Sequence, residues 1–276
     1  MTNALLRGDL LPPFDAITPA EIEPAMRELL QTNRSSVAAL EAIAQPSFAT
    51  LVEPLEQLQH RLAKVWSPVG LLNSAQNSDA LRASYNACLP LLTNYYTELG
   101  QSESLNRAYQ FIQRQEGAGL SGEQRQVLEH QLRDFRLGGI GLPADRKERF
   151  RVVSEELSRL QSKFDENVLD ATNAWTREVE DAAELAGLPV AVIARARAAA
   201  EKNGHSGWLF TLDAPNYQAV LTHAENRQLR RDFYTAWLTR ASEQGPAQWD
   251  NTALIEDILA LRHEAAQLAR DSGARV

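Results

Sequence analysis

A single cysteine, Cys88, in 276 residues leaves no partner for an internal disulfide and no thiolate cage for zinc, which suits a reducing compartment. No stretch approaches the roughly 20 consecutive apolar residues of a membrane-spanning helix. The opening MTNALLRGDLLPPFDAI has no cationic start followed by a sustained apolar run, so no secretory leader is expected and cytoplasmic residence is the default. Basic residues are outnumbered, 28 Lys and Arg against 36 Asp and Glu, giving a net charge of -8. That balance argues against nucleic acid or an anionic membrane surface as a general partner, because both are held by basic side chains that neutralise phosphate.

The catalytic and ligand-binding motifs are equally sparse. His60, His130, His205, His223 and His263 never stand at His-x-His or His-x-x-x-His spacing, so no local pair of imidazoles is offered to a metal. Gly138-Gly139-Ile140-Gly141 follows a helical pattern and lacks a subsequent Gly-Lys-Ser/Thr, which makes it a helix-ending turn rather than a phosphate cradle. There is no Gly-x-Ser-x-Gly nucleophile turn, no 34-residue self-similarity and no low-complexity linker.

What is present is helix after helix, in a chain of 44% hydrophobic and 23% charged residues. That composition supports one large core or two smaller domains. Thr18-Pro19-Ala20-Glu21 has the form of a capping box with proline at the first helical position. Ile22, Met26, Leu29, Leu30, Val37 and Leu40 follow on one face, with Pro24 a potential kink. Leu51, Leu55, Leu58, Leu62 and Val65 step by four and three residues to an expected stop at Ser67-Pro68. Asn77-Ser78-Asp79 caps a third seam of Leu81, Tyr85, Cys88, Leu92, Tyr95 and Leu99. Shorter helices are expected around Leu105, Tyr109 and Ile112, and after a second capping box at Ser121 to Gln124. A long amphipathic helix follows from Asp145 through Phe150, Val153, Leu157, Leu160, Phe164 and Val168. The glycine-rich turn at Gly138 to Gly141 is the natural internal boundary, dividing a helical lobe over 1–141 from a second domain over 142–276.

Beyond an alanine-rich helix opened by Gly187-Leu188-Pro189, the run Trp208 to Leu212 is too short for a helix, rich in β-formers and bracketed by glycine and Asp213-Ala214-Pro215. It reads as a strand. Tyr217, Val220, Leu221 and Ala224, then Leu229, Phe233, Ala236 and Trp237, return to helical spacing until Gly245-Pro246. Thr252 can cap a last helix carrying Leu254, Ile258, Leu261, Ala265 and Leu268. The fold class is mainly α, a multi-helix bundle with a short strand element.

Each polar constellation has a bland reading that outweighs a catalytic one. His263-Glu264-Ala265-Ala266-Gln267 imitates the zinc-peptidase helix His-Glu-x-x-His, but an amide is a poor zinc ligand. An ordinary surface His-Glu pair is expected. Cys88, on an apolar seam, reads as a small buried hydrophobe. Glu178, Glu180, Asp181 and Glu184 read as a solvated edge. Arg227, Arg230, Arg231 and Arg240 could grip a peptide carboxylate bidentately, but a charged helix face paired with Glu225 and Asp232 is favoured. No catalytic, cofactor-binding or metal residue is assigned.

Several long stretches carry a resemblance: LRDFRLGGIGLP (Leu132 to Pro143), NVLDATNAW (Asn167 to Trp175), TLDAPNY (Thr211 to Tyr217), YTAWLTRASEQGP (Tyr234 to Pro246) and Trp249-Asp250-Asn251. Together they resemble the bacterial oligopeptidase A family of zinc endopeptidases, relatives of thimet oligopeptidase, from near the start to about Leu268. The resemblance implies a two-lobed helical enzyme whose channel admits short peptides. In that family two histidines and a glutamate hold zinc, while the glutamate of His-Glu-x-x-His serves as general base. None of those residues has a match here, and the family's metal-binding helix lies far downstream of the segment matching ALRHEAAQL.

The expectation is therefore the N-terminal portion of a zinc oligopeptidase, inactive by itself and binding no zinc of its own. Short peptides are the substrates of the full-length enzyme, which is expected to be monomeric. The polar ending ARDSGARV stands where the family continues apolar, which suggests a truncation or shifted frame. The seam Leu254, Ile258, Leu261 and Leu268 is then expected to be partly exposed and to promote self-association. The rival readings are a non-catalytic helical bundle that holds peptides or a partner helix, and an inert gene product.

Overall fold

The computed structural model describes residues 3–8 and 11–271; the polar ending from Ser272 and the segment Asp9-Leu10 lie outside the described residues. Among the described residues are ten α-helices and one two-stranded sheet. In order they are α1 (Pro19–Glu41), α2 (Glu53–Ala75), α3 (Asp79–Gly100), α4 (Glu103–Glu116), α5 (Gly122–Leu137), α6 (Ala144–Ala174), β1 (Thr176–Val179), α7 (Val190–Lys202), β2 (Trp208–Thr211), α8 (Ala214–His223), α9 (Arg227–Thr239) and α10 (Thr252–Asp271). The chain forms two compact units, 1–160 with 259–276, and 161–258, whose borders fall within α6 and α10.

In the first unit α1, α2 and α3 share a core of Ile22, Met26, Leu29, Leu30, Leu62, Val65, Val69, Leu81, Cys88, Leu92 and Tyr95. These are the apolar faces of the heptad-like seams. Trp66 and Tyr85 stack beside them with ring centroids 4.7 Å apart. Arg34 grips Glu98 with two bonds of 2.7 and 3.0 Å, joining α1 to α3. A second core gathers Val37, Leu51, Leu55, Leu105, Tyr109, Ile112, Leu128 and Phe135, among them the faces of α4 and α5.

Two expected helix signals behave differently. Helix α2 does not stop at Ser67-Pro68 but runs on to Ala75 with Pro68 buried inside it. Proline removes one helical bond and costs about 3 kcal/mol in a helix interior. Burying a side chain such as Leu62, Val65 or Val69 contributes about 1.5–3 kcal/mol each, so packing outweighs the penalty. At the start of α1 the reciprocal capping box does not form: the Thr18 hydroxyl donates to Glu21 Oε2 at 2.9 Å, leaving the backbone uncapped by that side chain. The box expected at Ser121 and Gln124 does form, and another, unforeseen, joins Ser47 and Thr50 ahead of a π-helical turn over Phe48–Val52.

The second unit is built around the pair β1 and β2, antiparallel with Thr176 opposite Thr211 and Val179 opposite Trp208. Phe210, Leu212, Val179, Val220, Leu229 and Phe233 form its core, with Phe233 edge-on to Trp175 at 4.8 Å and to Phe210 at 6.0 Å. Gly207 leads into β2 at φ 76°, and a Cβ there would lie 2.3 Å from the Val179 carbonyl. Only glycine allows the strands to approach this way.

On α10 the expected partial exposure of the seam holds at two of its four positions. Ile258 and Leu268 are buried and Leu254 and Leu261 half-buried, whereas Ile255 and Leu259, one turn apart, are exposed. Thr252 does not cap the helix; it is the first helical residue, and its N–H and hydroxyl both donate to Asp250 Oδ1, at 2.9 and 2.7 Å.

Candidate functional site

The stretch from Thr211 to Asn251 orders its own polar side chains before it offers any to a ligand. Asp213 caps α8 by accepting from the Asn216 N–H at 2.9 Å. The buried Asn216 amide donates to Asp213 Oδ2 at 2.7 Å and to Thr211 Oγ1 at 3.0 Å, while its oxygen accepts from Arg195 at 2.6 Å. Asn226 caps α9 in the same manner, accepting from Gln228 and Leu229. These bonds cap α8 and α9 and tie α8 to Arg195 of α7, while Tyr217 on α8 lies against Trp237 on α9.

Tyr217 and Trp237 stack with centroids 4.4 Å apart and planes at 20°. The guanidinium carbon of Arg240 lies 3.5 Å from the Trp237 ring centroid. Two groups that close cannot share one face of an indole, so Trp237 is sandwiched between phenol and guanidinium. Nη1 of Arg240 is buried without a hydrogen-bond partner among the described residues. Desolvation by burial lowers the Arg240 pKa from its ordinary value, while the nearby Tyr217 opposes that shift.

The other arginines of this segment do not join it. Arg230 donates to the backbone carbonyls of Ala224 and Glu225 and so closes the α8–α9 turn. Arg227 and Arg231 lie outside the stack, on the same helix. Neither expected acidic partner serves the cluster, since Asp232 is held by Arg177 at 3.1 Å and by Gln228 at 2.7 Å, and Glu225 offers Arg230 its backbone carbonyl.

The remaining candidates are scattered. Glu264 receives two bonds from Arg149, at 2.6 and 2.7 Å, and this holds its carboxyl below the usual carboxylate range. His263 Nε2, the kind of atom a metal would need, is engaged by the Gln267 amide at 2.8 Å. His130 pairs with Gln126 at 2.7 Å and His205 with Glu178 at 3.2 Å. His60 lines a cavity of about 230 Å³ with Arg61 and Lys64. Cys88 is fully buried, and burial pushes its thiol up to about 12, far from a nucleophile's range. Glu178 lies within β1, opposite Leu209, and Glu184 is held by Arg177 at 3.1 Å. No group of three His, Cys, Asp or Glu side chains able to hold a metal occurs among the described residues.

Sequence reasoning missed the buried asparagines. Asn167, Asn216 and Asn251 each tie two segments together, and the signal was present in the stretches NVLDATNAW, TLDAPNY and Trp249-Asp250-Asn251 that carry the resemblance.

Comparison with known proteins agrees along nearly the whole chain. Residues 26–147 match the family model for the neurolysin/thimet oligopeptidase N-terminal domain, and residues 220–274 match peptidase family M3. Oligopeptidase A of Salmonella typhimurium is 43% identical over 272 residues, covering 97% of this chain and 40% of that protein. A probable cytosolic oligopeptidase A of Arabidopsis thaliana is 37% identical over 97% of this chain and 39% of its own length. Dipeptidyl carboxypeptidase of Escherichia coli is 31% identical over 94% of this chain and 38% of its own. The chain thus spans about two fifths of the length of these relatives. Both family matches and the likeness to oligopeptidase A along 97% of its length make the chain similar to the N-terminal portion of peptidase family M3 proteins.

Proposed function

We propose that this chain is the N-terminal portion of a zinc-dependent oligopeptidase that cleaves short peptides in a channel between two helical lobes. The observation that carries the reading is 43% identity to oligopeptidase A over 97% of the chain. Residues 1–141 contribute the helical lobe and residues 142–276 the opening part of the catalytic domain. Short peptides, rather than nucleic acid or a membrane, are the partners, and cytoplasmic residence belongs to the same reading. No described helix is long and apolar enough to cross a membrane.

The described residues do not fit a catalytic zinc ion. His263 has Gln267 where a second imidazole would stand, and both Glu264 oxygens are engaged by Arg149. No hydrolytic step is assigned to any side chain of this chain; its contribution is to build and line the peptide path. The purified 276-residue polypeptide, incubated with an internally quenched peptide and zinc, is expected to show no chelator-sensitive cleavage. Cleavage that a chelator abolishes and zinc restores would overturn this reading.

The second reading, a non-catalytic peptide-binding bundle, draws support from the Tyr217, Trp237 and Arg240 stack, a recognition element that needs no metal. Saturable peptide binding without turnover distinguishes it.

A further inference from the structure

Among the described residues, the guanidinium of Arg240 is an unpartnered polar group in the second unit. Its guanidinium carbon lies 3.5 Å from the Trp237 ring centroid, and Tyr217 backs the indole at 4.4 Å. Stacking uses the face of a guanidinium and leaves its N–H donors pointing outward in the plane, the geometry that matches two carboxylate oxygens. Yet Arg240 makes no ion pair or hydrogen bond with any described residue, and its Nη1 is buried without an acceptor. Of the other arginines lying over rings among the described residues, Arg34 pairs with Glu98 and Arg197 with Glu201, whereas Arg240 has no carboxylate partner.

A buried donor on a cation is unfavourable unless an acceptor arrives. The two neighbouring rings hold the side chain in place beforehand, so a ligand would not have to immobilise a long, flexible arm. Arg240 also terminates α9 as its C-cap, where the helix dipole favours a cation and keeps it charged.

We propose that Arg240, held by Trp237 and Tyr217, is a carboxylate-binding site that receives a peptide ligand. Recognition is by a two-bond fork to the carboxylate, from a guanidinium that the aromatic pair holds in place by stacking. The carboxylate can be the peptide's C-terminus or an acidic side chain. The peptide context rests on the oligopeptidase reading, but the site itself needs neither zinc nor turnover.

The test is tryptophan fluorescence of the 276-residue chain titrated with three N-acetylated tripeptides: Ala-Ala-Ala with a free C-terminus, the same peptide amidated, and Ala-Glu-Ala amidated. Saturable quenching by the free-terminus peptide and none by its amide assigns the site to C-termini. Quenching by the glutamate peptide assigns it to acidic side chains. Arg240→Met should abolish the response and Arg240→Lys weaken it at least tenfold, the far-UV circular dichroism being unchanged in both, while Trp237→Phe removes the signal at its source. Saturable quenching by the amidated Ala-Ala-Ala equal to that by the free-terminus peptide, or no saturable response to any of the three peptides, would overturn the proposal without reference to the variants. Because the readout is binding, its failure leaves the cleavage test unaffected, and the converse holds as well.

Discussion

The side-chain amide of Asn167 donates to the side-chain oxygen of Asn251 at 2.8 Å, across 84 residues of sequence, and both residues are buried. Asn251 in turn donates its amide to the Phe164 carbonyl at 3.1 Å and its backbone N–H to the Ala241 carbonyl at 3.1 Å. One residue therefore closes the turn after α9, starts α10 and ties both to α6. Removing its side chain strands the buried Asn167 donor, at about 1–3 kcal/mol, and takes from the Phe164 carbonyl a bond additional to its helical one, at about 1 kcal/mol. Asn251→Ala should lower stability by about 3 kcal/mol, seen as a lower urea midpoint at unchanged slope. An unchanged midpoint would show the bond to be incidental.

Gly207 tests the strand approach. With φ at 76° and the Val179 carbonyl 2.3 Å from where a Cβ would stand, Gly207→Ala must either distort β2 or separate it from β1. A loss of about 2 kcal/mol or more is expected, combining left-handed strain with displacement of the carbonyl. Gly204→Ala, also at positive φ but with nothing within 4 Å, should cost less. Equal effects would contradict the steric account.

The Arg149 and Glu264 pair makes stability depend on pH in a defined direction. Because Arg149 holds the Glu264 carboxyl below its ordinary range, the pair stabilises the fold above the unfolded carboxyl's pKa, and that contribution is lost as pH falls through the depressed folded value. Both side chains are partly exposed, at 47% and 35%, so the effect is small and screened by salt. Glu264→Gln should melt slightly below wild type at pH 7, with the gap closing on acidification and at about 1 M salt. A gap that persists in acid would assign the effect to packing instead.

Ile255 and Leu259, at 45% and 58% exposure, place an apolar stripe on α10. Such a stripe promotes association. The paired substitution Ile255→Lys and Leu259→Glu should raise the monomer fraction in light scattering without lowering the melting temperature. Wild-type chain that is already monodisperse would remove the basis for this expectation.

The helices were legible because their cores repeat at four and three residues: Leu62 and Val65, or Leu92 and Tyr95, are buried where the spacing puts them. The strand β1 was not, since Thr-Arg-Glu-Val is short and charged and only Val179 is buried. Its identity comes from the pairing with β2, a partner distant in sequence. Pro68 misled for the same reason, local propensity being overridden by burial in a shared core. Likewise, Arg240 could be singled out by residue type among four arginines, but its isolation from acids depended on where Asp232 and Glu225 were already engaged. On α10 the exposed pair Ile255 and Leu259 was missed because apolar residues occupy more than one side of that helix.

Helices α1, α2 and α3 each contain an interior proline, Pro24, Pro68 and Pro90. Each proline breaks the run of backbone bonds that would let a helix persist alone, so none of the three is suited to standing by itself in water. Their shared core includes residues up to Tyr95. As the polypeptide leaves the ribosome, the first segments must therefore wait, unfinished, until Tyr95 has emerged. Synthesis at about 5–20 residues per second sets that interval at several seconds, during which chaperones have their opportunity to bind.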